Sequence, residues 1–278
     1  MTRIVVDSTC DLPEDRMKEL GIEMVPLQVR FGDETFRDKI DLDGEAFFDR
    51  LEKATELPTT SQPSPGDFAE VYARIPENEP IVSIHIAHQL SGTIESAKLA
   101  AANLPGREIH IIDSGNTTWA AGLLALEAAE AVRDGKDVRA VVEHAESLVP
   151  RLRLLAILDT MKYVIMGGRV SRIQGALGGL LRVKPILVLV DGVIHRMAPA
   201  RTWGQAHQKV VEDIKAHGGA DRIAVIHARA PEAMVAMKQV LEESLGASDV
   251  MEGTIGPVIG THSGPGALGV AYIARKAG

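Results

Sequence analysis

Short apolar segments alternate with stretches of helical periodicity along most of the chain. Segments of strand length include residues 3–7, 81–86 and 109–113, and the stretches between and after them, such as 91–104 and 119–133, have the spacing of helices. This alternation is typical of βαβ units, whose strands pair in parallel beneath covering helices. The first half of the chain is therefore predicted to form a mainly parallel α/β/α domain.

The second half has a different pattern. Asp191-Gly192 separates two apolar segments, 184–190 and 193–197, and this dipeptide is a strong signal for an antiparallel hairpin. A purely parallel sheet would not contain one, so we expect a mixed-sheet α/β domain. A chain of 278 residues is long enough for about two domains. We place them at residues 1–155 and 156–278, with a ligand in the cleft between them.

Charge and hydropathy exclude several classes of function. Acidic residues outnumber basic ones by 38 to 30, for a net charge of -8, whereas nucleic acid binding calls for a basic surface. No stretch has the roughly 18 uninterrupted apolar residues of a membrane span, and the first residues do not have the pattern of a secretory signal. With Cys10 as the single cysteine, we expect a cytoplasmic protein without disulfides, cofactor or metal.

Three segments concentrate small hydroxyl, glycine and histidine residues between apolar strands: residues 58–63, 90–93 and 260–266. Each is predicted to be a loop at a strand end, where α/β sheets bind ligands. Ser91-Gly92-Thr93 precedes a predicted helix, and it offers hydroxyls and backbone N–H groups to an anion. Simple capping of that helix by Ser or Thr explains the same pattern equally well.

Ser91 and His262 also allow an enzymatic interpretation, a serine-type acyl hydrolase. It is the weaker one, because Ser91 does not lie in a Gly-x-Ser-x-Gly turn and no acidic partner for the histidine stands out. Arg169, after Gly167-Gly168, is placed to face an anion or a partner, and a solvated or ion-paired side chain is an equal alternative. A third hypothesis is a regulator that senses an acyl ligand.

Six motifs follow one another along the chain: VDSTCDL (6–12), TTSQPSP (59–65), LSGTIESA (90–97), GGR (167–169), KP (184–185) and GTHSGPGA (260–267). Each motif alone is weak, but the ordered set covers the chain from end to end. Together they resemble the DegV family, the fatty-acid-binding subunits of bacterial fatty acid kinase.

The resemblance implies that one long-chain fatty acid lies in an interdomain tunnel and that a separate ATP-using kinase subunit converts its carboxyl group to an acyl phosphate. By the same resemblance Thr60 and Ser91 hold the head group, His262 lies close by and Arg169 borders the site. The flanking loop residues counted with the site are Thr59, Ser61, Gly92 and Thr93. The chain departs from the family pattern at His88-Gln89 and Ile94. These departures affect the finer contacts expected with the head group, and not the class of ligand.

The low aromatic content of 4% favours an aliphatic tunnel. Ordinary core packing is the alternative role for each candidate lining residue. We expect a monomer with no complete catalytic site and no membrane span, and transient contact with a membrane surface is left open. The candidate lining residues are Ile165, Met166, Leu177, Leu180 and Leu187.

Overall fold

The computed structural model describes residues 1–169, 173–174 and 183–276, and in this part of the chain the strands form three sheets. The first sheet has the order β2-β1-β6-β7, with every pair parallel. Its central strand β6 is buried at every position. The predicted parallel sheet of the first half is thus confirmed. The strands are β1 (Arg3–Asp7), β2 (Ile22–Val25), β6 (Ile81–His85) and β7 (Ile109–Asp113).

Helices cover both faces of this sheet. On one face α3 and α4 pack against β2 and β7, and on the other α5 and α6 pack against β1 and β6. Apolar residues at helical spacing, such as Phe68, Val71 and Tyr72 of α3, supply the buried contacts. The helices of this half are α1 (Glu14–Leu20), α2 (Gly44–Lys53), α3 (Pro65–Arg74), α4 (Thr93–Ala102), α5 (Thr118–Arg133) and α6 (Val138–Leu148).

Helix α5 lies between the two larger sheets. It is buried on nearly all sides, because it contacts β1 and β6 of the first sheet as well as β8 (Leu152–Ile157) and β14 (Leu268–Ala274) of the second. Leu123 and Leu124 belong to the same apolar cluster as Leu152 of β8 and Ile273 of β14. A helix that is apolar all round is expected only in such an enclosed position.

The second sheet has the order β13-β12-β14-β8-β10-β11-β9 and contains both parallel and antiparallel pairs, as predicted. Asp191 (φ 48°) and Gly192 (φ 72°) form the expected two-residue turn between β10 and β11. The strands are β8 (Leu152–Ile157), β9 (Ile173–Gln174), β10 (Ile186–Val190), β11 (Val193–Arg196), β12 (Ala220–His227), β13 (Val250–Thr254) and β14 (Leu268–Ala274).

The remaining helices belong to the second half. Helices α8 (Trp203–Ala216) and α9 (Pro231–Leu245) cover the outer face of the seven-stranded sheet, and α7 (Lys162–Met166) follows β8. The predicted boundary at residue 155 falls within β8, and all of β8 pairs with strands of the second sheet. The division into two domains stays a prediction.

A small antiparallel sheet, β4-β3-β5, corrects the prediction of a loop at residues 58–63. In this sheet β5 (Thr59–Ser61) pairs with β3 (Gln28–Phe31). Strand β3 is separate from β2, because Pro26, which has no N–H to donate, lies between them. Only three residues of β5 are strand, and their polar side chains give no alternating pattern to detect. The outer strand is β4 (Glu34–Arg37).

Asp11 connects elements from both halves. Its Oδ1 accepts the Gly256 N–H (3.0 Å) and pairs with Lys39 Nζ (2.9 Å), and its Oδ2 accepts the Thr118 hydroxyl (2.7 Å). Gly256 begins α10 (Pro257–Ser263), and Thr118 begins α5. One buried carboxylate therefore fixes the start of two helices that border the cavity described below.

Candidate functional site

An apolar cavity lies between the carboxyl ends of the first sheet and one face of the second. It encloses about 920 Å³ of space, part of which is open solvent. Alternation along β8 points Leu154 and Ala156, with Leu158 after the strand, into this space, whereas Leu155 and Ile157 pack beneath α8 and α9. Leu187 and Leu189 of β10 extend the same wall.

Asp7 fixes the part of this wall contributed by the first sheet. Its carboxylate accepts the N–H groups of Ile86 (2.9 Å) and Thr9 (3.0 Å), and it contacts His85 Nδ1 at 3.2 Å. Burial opposes ionisation of Asp7, but the contacts with His85, Thr9 and Ile86 outweigh it, so the pKa of Asp7 is lowered. Ile86, which lines the cavity, is therefore held by a buried anion.

Polar side chains gather where α10 meets β5. The Thr60 hydroxyl and His262 Nε2 are 3.0 Å apart, although the two residues are 202 positions apart in sequence. His262 belongs to α10, so the predicted loop at 260–266 is corrected in its first part, which is a short helix that ends at Gly264 (φ 73°). Pro257 at the first helical position and Gly264 just after the last are the signals that mark this helix in the sequence.

His262 lies in a poorly solvated position beside an arginine. Burial, with a smaller contribution from the Arg169 guanidinium, lowers the pKa of His262 to about 4. The imidazole is therefore neutral at neutral pH. Gly167 passes so close that a Cβ there would be 2.3 Å from His262 Nδ1, and Arg169 donates to the Gly167 carbonyl at 3.0 Å. The glycine is thus needed for the approach of this loop to the ring.

Ser91 lines the cavity next to the start of α4. Its hydroxyl is 2.9 Å from that of Thr93, and the N-cap residue of α4 is Gly92, with no side-chain cap bond. The interpretation of Ser91 as a helix cap is therefore wrong. Its hydroxyl remains at the cavity wall.

Gln62 is a further residue of the site, one that its sequence context does not single out. It lines the cavity, its Nε2 donates to Ser96 of α4 at 3.0 Å, and its amide packs against Gly92. Gln62 thereby holds the end of β5 against the Ser91 loop. A polar residue in a Thr/Ser-rich segment carries no pattern that would single it out.

The structure brings together five of the predicted site residues at the cavity: Thr60, Ser61, Ser91, Arg169 and His262. Thr59 is exposed, and Gly92 and Thr93 lie behind Ser91 without lining the cavity. Of the predicted tunnel residues, Leu187 lines the cavity. Ile165 and Met166 are 48% and 60% exposed on α7, and Leu177 and Leu180 lie outside the described residues.

The arrangement does not form a hydrolytic triad within the described residues. The hydrogen-bond partner of Ser91 is Thr93, that of His262 Nε2 is Thr60, and His262 Nδ1 has no partner among them. A triad needs the histidine to contact the serine and an acid to orient the ring. In the same part of the chain we find no cluster of metal-binding side chains and no helix able to cross a membrane.

Known proteins match this chain over nearly its whole length. A family model described as "Uncharacterised protein, DegV family" matches residues 1–275. A DegV domain-containing protein of Halalkalibacterium halodurans is 33% identical over 98% of this chain and 98% of its own length. Protein DegV of Bacillus subtilis is 34% identical over 97% of this chain and 98% of its own length.

Two solved structures show the same fold. One, described as fatty acid binding of a DegV family protein from Thermus thermophilus, has a TM-score of 0.90 and 32% identity, covering 99% of this chain and 100% of that one. The other is DegV, described as a fatty acid binding protein from Bacillus subtilis, with a TM-score of 0.87, 32% identity and the same coverage. From the match in sequence and in structure, this chain belongs to the DegV family.

Proposed function

We propose that this protein binds one long-chain fatty acid, with its carboxyl group near Thr60, Ser91 and His262 and its tail along β8 and β10. The observation that carries the proposal is a largely aliphatic cavity with hydroxyl, imidazole and guanidinium groups gathered at one end. That distribution matches an amphipathic ligand with one polar end. The two similar proteins described as fatty acid binding support the same ligand class.

The tail supplies most of the affinity in this arrangement. Burying a methylene contributes about 0.8 kcal/mol, so roughly fifteen of them contribute on the order of 10 kcal/mol before ordering costs. Two neutral hydrogen bonds to the head group add about 1–3 kcal/mol. The apolar wall therefore determines how tightly a fatty acid binds, and Thr60 and Ser91 determine how its carboxyl group is oriented.

We further propose that the carboxyl group is presented to a separate ATP-using kinase subunit, which forms an acyl phosphate. The sequence has no Gly-x-x-x-x-Gly-Lys-Ser/Thr motif of its own for ATP. Neutral hydroxyl donors suit a carboxylate that must attack a phosphoryl group, because a bidentate arginine would hold both oxygens more firmly and reduce their reactivity. This role also follows from the resemblance of the six sequence motifs to fatty acid kinase subunits.

The first experiment is native mass spectrometry of the purified protein, followed by solvent extraction and identification of the released molecule. A fatty acid that is lost or exchanged only on unfolding supports the binding role. A protein that is empty and takes up no added fatty acid overturns it. Turnover of an acyl ester by the isolated chain would instead favour the hydrolase interpretation.

A double substitution tests the head-group contacts. We expect Thr60→Val with Ser91→Ala to weaken fatty acid binding by about tenfold, since the tail contacts remain. Acyl phosphate formation with a purified bacterial fatty acid kinase should fall further even at saturating fatty acid, because orientation is lost. The matched control is Thr59→Val, which alters an exposed residue of the same strand. Full phosphorylation by the double variant would contradict the proposed orienting role.

A further inference from the structure

Asp38 places a buried carboxyl group behind the candidate site. The residue is 1% exposed, and neither of its carboxyl oxygens has a hydrogen bond of ordinary geometry within the part of the chain that the structure describes. Buried polar groups are nearly always hydrogen-bonded, because leaving one unpaired costs free energy. The head-group contacts described above do not use this carboxyl group, so its burial calls for a separate explanation.

Two hydrogen-bond donors lie beside this carboxyl group, the Ser8 hydroxyl and the Val258 N–H. Ser8 Oγ accepts the Leu27 N–H at 3.0 Å, so its own proton is available to donate. Val258 is the second residue of α10, where the N–H groups of the first turn have no acceptor within the helix. The N-cap residue, Gly256, makes no side-chain cap bond. Asp38 therefore lies where it can accept from the first turn of α10.

Helix α10 connects Asp38 to the head-group site. Val258 and His262 are four positions apart, about one helical turn, and both line the cavity. A helix of seven residues moves as a unit, so a shift of its first turn also moves the imidazole. The position of Val258 therefore affects the distance between His262 Nε2 and the Thr60 hydroxyl, which is 3.0 Å.

The charges around Asp38 favour its uncharged form. Lys39 Nζ pairs with the buried Asp11 carboxylate at 2.9 Å, so one ammonium group faces two buried carboxyl groups. The other groups beside Asp38, the Ser8 hydroxyl and the Val258 N–H, carry no charge. Burial is the main cause that raises the pKa of Asp38 to about 7, with Lys39 opposing the rise and Asp11 adding to it. Below that pH the carboxyl group holds its proton.

We propose that Asp38, as an uncharged carboxylic acid, positions His262 for the fatty acid head group by holding the first turn of α10. The inference rests on the proposed fatty acid site. Asp38 is a positioning residue, because it acts on the head group through Val258 and the helix. Ionisation would put a second buried negative charge beside Asp11, and this charge is relieved when the carboxylate moves toward water, away from Val258. Head-group binding should therefore weaken as the pH rises above 7.

The first test measures the dissociation constant of stearic acid at pH 6 and 8.5 for the lipid-free protein and for Asp38→Asn. The amide has the shape of the protonated acid and does not titrate. From pH 6 to 8.5 the affinity of the unaltered protein should fall about tenfold more than that of the variant. Titration of the ligand affects both proteins equally and cancels.

The matched control is Asp33→Asn, which alters a fully exposed acid of the same hairpin and should keep the pH dependence of the unaltered protein. The same pH dependence in Asp38→Asn and in the unaltered protein would overturn the inference while the fatty acid site stands. Failure of the unaltered protein to bind stearic acid at either pH would refute the proposed fatty acid site itself.

A second substitution separates positioning from simple packing. Asp38→Leu removes the polar contact at similar size, so it should bind stearic acid about tenfold more weakly at both pH values. It should bind methyl stearate as the unaltered protein does, because the wall that contacts the tail is unchanged. Asp38→Asn should bind both ligands as the unaltered protein does at pH 6. Equal losses for the acid and the ester in Asp38→Leu would reduce Asp38 to a structural role and overturn the inference.

Urea unfolding tests the charge of Asp38 without any ligand. Because its pKa is raised from 3.8 to about 7 in the folded protein, ionisation of Asp38 opposes folding increasingly as the pH rises between these values. Asp38→Asn should therefore be more stable than the unaltered protein at pH 8, and this advantage should shrink as the pH falls toward 3.8. A constant difference in stability over this pH range would show that Asp38 ionises as readily in the folded state as in the unfolded chain and would overturn the inference.

Discussion

An Ala156→Phe variant is expected to bind long-chain fatty acids more than about a hundredfold more weakly than the unaltered protein. Ala156 lies in the middle of the β8 wall, flanked on the cavity side by Leu154 and Leu158. A phenyl ring there would occupy the space of about four tail methylenes, and at about 0.8 kcal/mol each their loss costs about 3 kcal/mol. Isothermal titration with a single fatty acid measures the change.

The same variant should keep its fold, because the added ring enters the cavity and not the packed core. Its melting temperature should equal or exceed that of the unaltered protein after lipid removal. Ala216→Phe serves as the matched control, since Ala216 is exposed on α8 and is absent from the cavity lining. Unchanged fatty acid affinity in Ala156→Phe would place the tail outside this cavity and contradict the proposed site.

A second large effect is expected in the dependence of stability on pH. The pKa of His262 is about 4 in the folded protein, below its ordinary value of 6.5. As the pH falls below 6.5, the unfolded chain takes up a proton at this position that the folded protein does not, so folding is destabilised until about pH 4. Over this interval the loss is on the order of 3 kcal/mol in the free energy of unfolding.

The comparison that isolates this effect is the lipid-free protein against His262→Gln, by urea unfolding at several pH values between 7 and 4. Glutamine can still bond to Thr60, but it does not titrate. Between pH 7 and 4 the free energy of unfolding of His262→Gln should therefore fall by on the order of 3 kcal/mol less than that of the unaltered protein. If the two proteins lose the same free energy of unfolding over this pH range, His262 is protonated as readily in the folded state as in the unfolded chain, and the prediction is wrong. A bound carboxylate should favour the charged imidazole, so added fatty acid should reduce the difference between the two proteins.

The sequence predicts the architecture well because each half has its own pattern. Alternating apolar segments predict the parallel sheet, and Asp191-Gly192 predicts the hairpin of the mixed sheet, since that turn requires two residues with positive φ. Polar strands are harder to predict: β5 (Thr59–Ser61) is held by pairing with β3, which is a tertiary contact. The short helix α10 was missed for a similar reason, because seven residues give little periodicity to detect.

The site itself is predicted only in part. The loops with small hydroxyl residues indicate Thr60, Ser91 and His262, but the contact between Thr60 and His262 joins residues that are far apart in sequence. Gln62 has no distinguishing motif, and its contact with Ser96 becomes visible only when the packing of β5 beside α4 is known. Such residues depend on how distant segments pack together, which local patterns do not record.

The position of α5 between the two sheets has a consequence for how proteins of this shape can change during evolution. Helix α5 packs against both larger sheets, so a protein made from either half alone would expose a large apolar face to water. The halves are therefore poor candidates for separate reuse or shuffling into other proteins. Additions to the chain should be tolerated best at surface turns far from this helix.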